Sequence, residues 1–254
     1  MTTIDELEHL CRDLGAPGRE LAVLGEGNAS ARLDEASFAV TTSGSELGRL
    51  TSGDLVAVQL APAAALARRC ADGTFDRAEL DALAVPNSDG TRRVPSIETL
   101  LHALLLERTG CAFVGHTHPT SVLALACSSR LDEAFAAPIF PDEVVVCGPA
   151  YLVVPYAAPG PALAAALDSA LDRHAEESGV WPRAIILASH GLLALGATAN
   201  EVLAVTTMVD KSARVRAAAL AIGELRTLSA EEVRTLDGRS DEQYRRQRLF
   251  GAGA

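Results

Sequence analysis

The sequence is poor in lysine: of its 22 basic residues one, Lys211, is a lysine and the others are arginine. A phosphate-binding loop of the GxxxxGK[ST] type places its lysine after a glycine-rich loop, and no glycine run precedes Lys211. Schiff-base chemistry would have to use the same residue. Lys211 lies in the alanine-rich stretch 201–222, whose spacing predicts a helix with this side chain on the solvated face. Lysine-dependent catalysis is therefore not expected.

Positive charge and long apolar runs are also scarce. The 22 basic residues face 33 acidic ones, a formal net charge of −11, which argues against nucleic acid because binding its phosphates needs clustered Lys and Arg. No apolar run nears the ~18–20 residues that cross a bilayer, and the first residues lack the pattern of a signal peptide. The five cysteines form no CxxC pair, which is typical of reduced thiols. We expect a soluble, cytoplasmic protein with no nucleic-acid or membrane partner.

Apolar residues, by contrast, make up 48% of the 254 positions, enough for a full core. No internal repeat or linker is visible, so we predict a single domain over 1–254. Within it, the polar, alanine-rich segment 62–93 is expected to form a surface excursion and 224–254 a C-terminal tail. Short runs with strand-like patterns predict a small antiparallel sheet from residues 28–33, 37–42 and 55–60.

From Pro95 onward, predicted strands alternate with predicted helices. The helices are expected at 96–108, 120–128, 160–177 and from 199 onward, after a first helix at 4–14. The strands are expected at 111–115, near 144–146, and at 151–154, 184–188 and 191–195. Strands that are apolar on both faces and interleaved with helices indicate an α/β layered structure.

The run Gly25-Glu26-Gly27-Asn28-Ala29-Ser30 approaches a dinucleotide-binding fingerprint but has Ser30 where the third glycine would stand. Strands rather than a helix are predicted after it, so no helix N-terminus would receive a pyrophosphate. Two interpretations remain: a tight turn, or a glycine-opened loop whose amides and Asn28 and Ser30 side chains meet an anion.

Three histidines are placed for metal binding. His116 and His118 follow an apolar strand, and residues two apart in an extended chain point to the same side. His190 follows another apolar strand, so it also lies at a sheet edge. Three neutral imidazoles with an open fourth position are a common arrangement for catalytic zinc. A divalent-metal site is predicted from these residues.

Glu98 and His102 are four residues apart at the start of a predicted helix and therefore share a face. Glu98 could simply favour the helix dipole in the first turn, with Ser96 as the N-cap. Alternatively, it reaches the metal or acts as a general base beside it. The spacing does not choose between these roles.

Taken in order, these motifs resemble the class II aldolase/adducin family. The matching pieces extend over roughly residues 4–223. They are Gly27-Asn28-Ala29-Ser30, Thr42-Ser43-Gly44, Leu50-Thr51 with Asp54-Leu55, Pro95-Ser96-Ile97-Glu98, His116-Thr117-His118-Pro119 and His190-Gly191-Leu192. The resemblance implies an α/β fold of three α/β/α layers, with a central, mostly antiparallel sheet flanked by helices. It also implies a homotetramer with active sites between subunits and a divalent metal, usually Zn²⁺, with Mn²⁺, Co²⁺ or Fe²⁺ as alternatives.

Carried over position by position, the resemblance makes His116, His118 and His190 the metal ligands and Glu98 the catalytic acid/base. Asn28, Ser43, Gly44 and Ser96 would bind the substrate and hold its phosphate. The implied reaction is reversible aldol cleavage of a small hydroxylated ketone, sugar or sugar phosphate through a metal-stabilised enediolate. The scarcity of lysine agrees with this, since a metal replaces the Schiff base as the electron sink.

Two departures bear on the substrate and the second proton donor. Members that bind phosphate commonly have two serines before the glutamate, and Ile97 occupies the second of these positions, which makes a carboxylate or an unphosphorylated substrate more credible. Family aldolases also use a tyrosine from a neighbouring subunit, and no tyrosine lies between His118 and Tyr151. The candidates to replace it are Asp142, Tyr151 and Tyr244.

Other outcomes of the same enediolate chemistry stay open: 4-epimerisation, decarboxylation of a 3-oxo acid, or dehydration. Outside this chemistry stand a non-catalytic, adducin-like interaction module and a metal-dependent oxygenase. Neutral imidazoles alone are less typical of an iron oxygenase than two histidines with a carboxylate. The leading hypothesis is a metal-dependent carbon–carbon lyase.

Overall fold

The computed structural model describes residues 1–70, 74–86, 90 and 92–250. This part of the chain contains seven strands and eleven helices. The strands are β1 (Asn28–Arg32), β2 (Ser37–Thr41), β3 (Leu55–Gln59), β4 (Phe113–Thr117), β5 (Leu152–Val154), β6 (Ala184–Leu187) and β7 (Gly191–Gly196). The helices are α1 (Thr3–Leu14), α2 (Leu60–Arg69), α3 (Arg77–Ala82), α4 (Thr99–Thr109), α5 (Thr120–Ala126), α6 (Leu131–Ala134), α7 (Pro141–Cys147), α8 (Pro161–Ser178), α9 (Ala199–Ile222), α10 (Ala230–Gly238) and α11 (Ser240–Phe250).

The strands form one sheet in the order β3-β2-β1-β4-β7-β6-β5. Every neighbouring pair is antiparallel except β5 and β6, so the predicted mostly antiparallel sheet is confirmed. The register places Asn28 of β1 opposite His116 of β4, and His116 opposite Leu193 of β7. The centre of the sheet therefore joins two of the sequence motifs directly.

Helices cover both faces of the sheet, because successive strand side chains alternate between two apolar clusters. On β7, Leu192 and Ala194 belong to the cluster that packs with α1, α5 and α9, and Leu193 and Leu195 to the cluster that packs with α2, α4 and α8. The three-layer α/β/α architecture expected from the family resemblance is confirmed. No helix among the described residues has the length and apolar character needed to span a membrane.

The strand predicted near 144–146 is wrong, because these valines lie in helix α7. Pro141 occupies the first turn of this helix, and Asp142 and Glu143 follow it there. Proline and carboxylates both favour a helix N-terminus. Val144, Val145 and Val146 are all buried, so tertiary packing outweighs the strand preference of β-branched residues.

Two segments expected at the periphery contribute to the core. In the segment 62–93, α2 packs against α4 and buries an apolar face that includes Ala63, Leu66 and Ala67. In the segment 224–254, α10 and α11 pack against α7, and Phe250 lies in the core. Residues 71–73, 87–89 and 91 of the first segment and 251–254 of the second lie outside the described residues.

Candidate metal centre

The fold brings the three predicted ligands to one place. His116 lies in β4 and His118 follows the end of this strand, while His190 lies in the turn between β6 and β7. Because β7 pairs with β4, this turn is held beside the end of β4. Ser189 adopts a left-handed conformation (φ 51°), which reverses the chain just before His190.

The three imidazoles are arranged around a common point. Their ring centroids are 4.7 to 5.1 Å apart, and one nitrogen from each lies within 4.8 Å of the others. Nδ1 of His116 donates a hydrogen bond to the carbonyl of Leu192 (3.0 Å), which leaves the Nε2 lone pair free and fixes the ring. Nε2 of His118 lies 3.0 Å from this Nε2, close to the ~3.4 Å expected for two nitrogens on one tetrahedral Zn²⁺. The donor set fits a divalent ion.

Gly191 allows the rings to approach each other. A Cβ atom at this position would lie 2.5 Å from the carbonyl oxygen of Thr117 and 2.7 Å from Cδ2 of His118. Any side chain at position 191 would displace the strand or the ring of His118, so the close packing of the three histidines requires glycine here.

Burial favours the neutral form of two of these imidazoles, those of His116 and His118. Desolvation lowers the pKa of His118 to about 3, with repulsion from His116 and His190 acting in the same direction. Desolvation also lowers the pKa of His116, although the carboxylate of Glu98 opposes this. Neutral imidazole is the form that binds a metal, so these two candidate ligands need lose no proton when an ion binds.

Glu98 lies beside the three histidines. It is the N-cap residue of α4, but its side chain caps no helix amide; instead Oε1 lies 3.1 Å from Nε2 of His190 and Oε2 lies 3.4 Å from Nε2 of His116. Burial raises the pKa of this carboxyl group, but attraction to His116 and hydrogen bonds from His190 and Asn28 lower it further, so that the carboxylate is favoured overall. The geometry therefore supports a role at the metal centre rather than a capping role.

A cavity of about 420 Å³ opens next to these residues. Its walls carry the carboxylates of Glu98 and Glu26 and, among the described residues, no lysine or arginine. Its lining comprises Val23, Leu24, Gly25, Glu26, Gly27, Asn28, Thr41, Thr42, Gly44, Ser45, Ser96, Ile97, Glu98 and His118. The polar wall thus consists of hydroxyl, amide, carboxylate and imidazole groups, which can form hydrogen bonds with a hydroxylated molecule.

The predicted substrate-binding residues are placed unequally. Asn28, Gly44 and Ser96 line the cavity. Ser96 also accepts a hydrogen bond at Oγ from the amide of Glu98 (3.3 Å). Ser43 is not part of the lining, and its amide donates to the carbonyl of Val94 (2.9 Å).

The three candidate proton donors lie outside the cavity of their own chain. Asp142 forms an ion pair with Arg245 (2.6 Å). Tyr151 is buried with its hydroxyl donating to Glu143, and burial raises its pKa well above 10. Tyr244 is exposed on α11. The lining of the cavity beside Glu98 thus includes none of Asp142, Tyr151 and Tyr244.

Sequence reasoning overlooked several groups at the cavity. On the loop after β2, the hydroxyl groups of Thr42 and Ser45 form a hydrogen bond (2.7 Å). Glu26 places Oε1 3.9 Å from Nδ1 of His118. The signal for Glu26 was its position inside the glycine-opened loop, next to the predicted anion-binding residues.

Comparisons with known proteins identify a family and relatives of similar sequence. The family described as "Class II Aldolase and Adducin N-terminal domain" matches residues 5–217. Among characterised relatives, the 3-oxo-tetronate 4-phosphate decarboxylase of Haemophilus influenzae is 26% identical over 226 residues, 87% of this chain and 90% of the relative.

Solved structures show the same fold. YgbL from Klebsiella pneumoniae, for which aldolase, epimerase and decarboxylase are the alternatives named, superposes with a TM-score of 0.68 at 25% identity, over 93% of this chain and 99% of that one. An L-fuculose 1-phosphate aldolase superposes with a TM-score of 0.69 at 21% identity, over 96% of both chains.

Proposed function

The chain belongs to the class II aldolase and adducin family, and we propose that it is a metal-dependent carbon–carbon lyase. The observation that carries the proposal is the placement of Glu98 between His190 and His116, beside a cavity lined by hydroxyl and amide groups. His116, His118 and His190 would hold the divalent ion. The complete set of these three ligands with Glu98 favours an enzyme over a non-catalytic module.

The preferred reaction is reversible aldol cleavage of a small hydroxylated ketone or sugar derivative. A divalent ion, with Zn²⁺ as the expected one, would be held by these three histidines and would supply Lewis-acid chemistry. A base removes the proton from the hydroxyl group on the carbon that becomes an aldehyde. The carbon–carbon bond then breaks, and its electron pair enters the enediolate of the ketone fragment. Glu98, after taking up a proton from solvent, delivers it to the carbon of the ketone fragment that lost the bond, and Asn28 holds Glu98 in place.

Decarboxylation of a 3-oxo acid is the second candidate, and the similarity to a decarboxylase of this reaction class favours it. In this reaction the bond to the carboxylate breaks, carbon dioxide leaves, and the same enediolate takes one proton. It therefore needs no base for a second hydroxyl group. One acid/base side chain, such as Glu98, suffices for decarboxylation. This agrees with the positions of Asp142, Tyr151 and Tyr244, the candidates for a second proton donor, which lie outside the cavity.

Aldol cleavage requires a second proton-transfer group. In a homotetramer with active sites between subunits, a neighbouring subunit could supply it. Asp142 and Tyr244 are the candidates with partly exposed side chains. Light scattering coupled to size-exclusion chromatography would measure the oligomeric state. A monomer that is active at low concentration would exclude this source of the second group.

The test is a product analysis of metal-loaded protein. The chain is loaded with Zn²⁺, Mn²⁺, Co²⁺ or Fe²⁺ and offered aldehydes with dihydroxyacetone, its phosphate or pyruvate, and separately a series of hydroxylated 3-oxo acids. NMR distinguishes new carbon–carbon bonds from the loss of carbon dioxide. Turnover that is lost on chelation supports the proposal. Absence of turnover with every donor and every metal would refute it.

A further inference from the structure

Four side chains form a continuous hydrogen-bonded row behind the cavity: Ser30, His102, Asn28 and Glu98. Oγ of Ser30 lies 2.7 Å from Nδ1 of His102, and Nε2 of His102 lies 2.5 Å from Oδ1 of Asn28. Nδ2 of Asn28 then donates to Oε2 of Glu98 (2.5 Å). Ser30 and His102 are fully buried and Asn28 is 5% exposed, so water does not compete for these bonds.

The row results from matched periodicities in a strand and a helix. Asn28 and Ser30 are two apart in β1 and are separated by about 6.7 Å along the strand. Glu98 and His102 are four apart at the start of α4 and are separated by about 6.0 Å along the helix. Because α4 packs against β1, each strand residue meets a helix residue, and the four side chains alternate between the two elements.

The charge of Glu98 sets the direction of every bond in the row. An ionised carboxylate only accepts, so Asn28 must turn its NH₂ group towards Glu98 and its carbonyl oxygen towards His102. His102 must then carry its proton on Nε2, which leaves Nδ1 to accept from the hydroxyl of Ser30. This assignment uses each donor and acceptor of the buried imidazole once.

We propose that His102 is a positioning residue that locks Asn28 in one amide orientation and thereby fixes the rotation of the Glu98 carboxylate group. Oε2 accepts from the N–H group of an amide that His102 prevents from turning. The Glu98 side chain is therefore held with Oε2 on Asn28 and Oε1 towards His190. This role rests on the proposed function of Glu98 as the acid/base.

The first test reads the ring of His102 without any substrate. The Zn²⁺-loaded protein is labelled with ¹⁵N-histidine; the chain has six histidines, and the signals missing from His102→Leu identify this ring. We expect a protonated Nε2 and an unprotonated Nδ1. A proton on Nδ1 would overturn the proposal, because Asn28 would then have no reason to keep its carbonyl oxygen towards His102.

The second test compares two substitutions that differ in one donor. His102→Gln keeps an N–H group for Oδ1 of Asn28, and His102→Leu has none. For His102→Leu we expect kcat to fall by about 10- to 100-fold, with KM and metal content near those of the wild type. His102→Gln should restore kcat to within about fivefold of the wild type. His174→Leu, which replaces a buried histidine of α8 outside this row, controls for the loss of a buried imidazole.

The outcomes separate this proposal from the proposed function. Equal loss of kcat in both His102 variants at unchanged metal content, or wild-type kcat in His102→Leu, would overturn the positioning role. If the wild-type protein turns over no substrate, the proposed function fails, and the ring signals and a crystal structure of His102→Leu decide the positioning role. We expect that structure to show the Asn28 amide rotated away from Glu98; an unmoved amide would overturn the proposal.

Discussion

Oε1 of Glu98 lies 3.1 Å from Nε2 of His190, although the two residues come from the start of a helix and from a turn between two strands. The contact places a carboxylate at the edge of the three-histidine centre. Substitutions at Glu98 and at the histidines can therefore test proton transfer and metal binding separately.

Removing one ligand should remove the metal. His116→Ala deletes the ligand whose ring is fixed by Leu192, and two imidazoles remain. We expect metal affinity to fall by more than about 100-fold and activity to fall with it. Elemental analysis after dialysis measures the bound metal. His9→Ala, on an exposed part of α1, is the matched control and should retain one equivalent. Full activity in metal-free His116→Ala would contradict the assignment.

Neutralising Glu98 should separate binding from catalysis. Glu98→Gln keeps the shape of the side chain and a carbonyl oxygen for Asn28, but it cannot carry the proton. We expect kcat to fall by about 10²- to 10⁴-fold while the three histidines still bind metal. Steady-state kinetics and metal analysis on the same sample check both. Glu46→Gln, a carboxylate paired with Arg49 on the surface, is the control. Retained kcat in Glu98→Gln would rule out its acid/base role.

The buried His102 should make the fold sensitive to acid. Desolvation, helped by repulsion from His116, lowers the pKa of His102 from 6.5 to about 3. In this window the unfolded chain binds a proton that the folded chain does not, so the free energy of unfolding falls as the pH decreases from 6.5 to 3, by up to about 1.4 kcal/mol per pH unit. His102→Gln should reduce this slope by up to about 1.4 kcal/mol per pH unit, which is the contribution of one proton. Urea unfolding at several pH values measures it; an unchanged slope would contradict the burial argument.

The buried pair of Arg216 and Glu143 should be important for stability. Both side chains are fully buried and lie 2.5 Å apart, and Tyr151 donates to the same carboxylate oxygen. Arg216→Met leaves that charge uncompensated, and we expect a loss of about 3–5 kcal/mol in the free energy of unfolding. Adding Glu143→Gln should recover part of this loss.

Urea unfolding of the single and double variants measures both effects. The surface pair of Arg12 and Glu8 provides the comparison, since Arg12→Met should cost below about 1 kcal/mol. If Arg216→Met costs no more than Arg12→Met, the buried pair contributes no more to the free energy of unfolding than a surface pair does.

Ile97 should limit the binding of phosphate. Ile97 lines the cavity beside Ser96 and packs against Gly160. A serine at position 97 would offer the cavity a second hydroxyl group. Ile97→Ser should strengthen the binding of dihydroxyacetone phosphate over dihydroxyacetone by about tenfold, because a hydrogen bond to a charged group contributes about 1.5 kcal/mol or more. Calorimetry with both ligands tests this, and Ile97→Val is the control. An unchanged preference would show that position 97 does not select the substrate's charge.

Local patterns predicted most of the elements, because helices and strands repeat their side-chain directions over a few residues. The run 184–188 predicts a strand, and the structure has β6 at Ala184–Leu187. The strand prediction at 144–146 is wrong, because the strand preference of valine is a local property, whereas burial in α7 depends on partners from α9 to α11. The burial of α2 likewise depends on a distant partner, since α4 lies some 30 or more residues away in the sequence.

The candidate site likewise has some features that local sequence patterns predict and others that depend on the tertiary structure. By itself, the sequence determined that His116 and His118 share a side of their strand and that Glu98 and His102 share a face of their helix, because backbone periodicity fixes directions at spacings of two and four. Only the tertiary structure decided that His190 joins His116, that Asn28 lies between His102 and Glu98, and that Tyr151 is turned into the core. These contacts join residues about 70 positions or more apart, or depend on what surrounds them. Sheet register and the packing of α4 on β1 set such distances, and no local repeat encodes them.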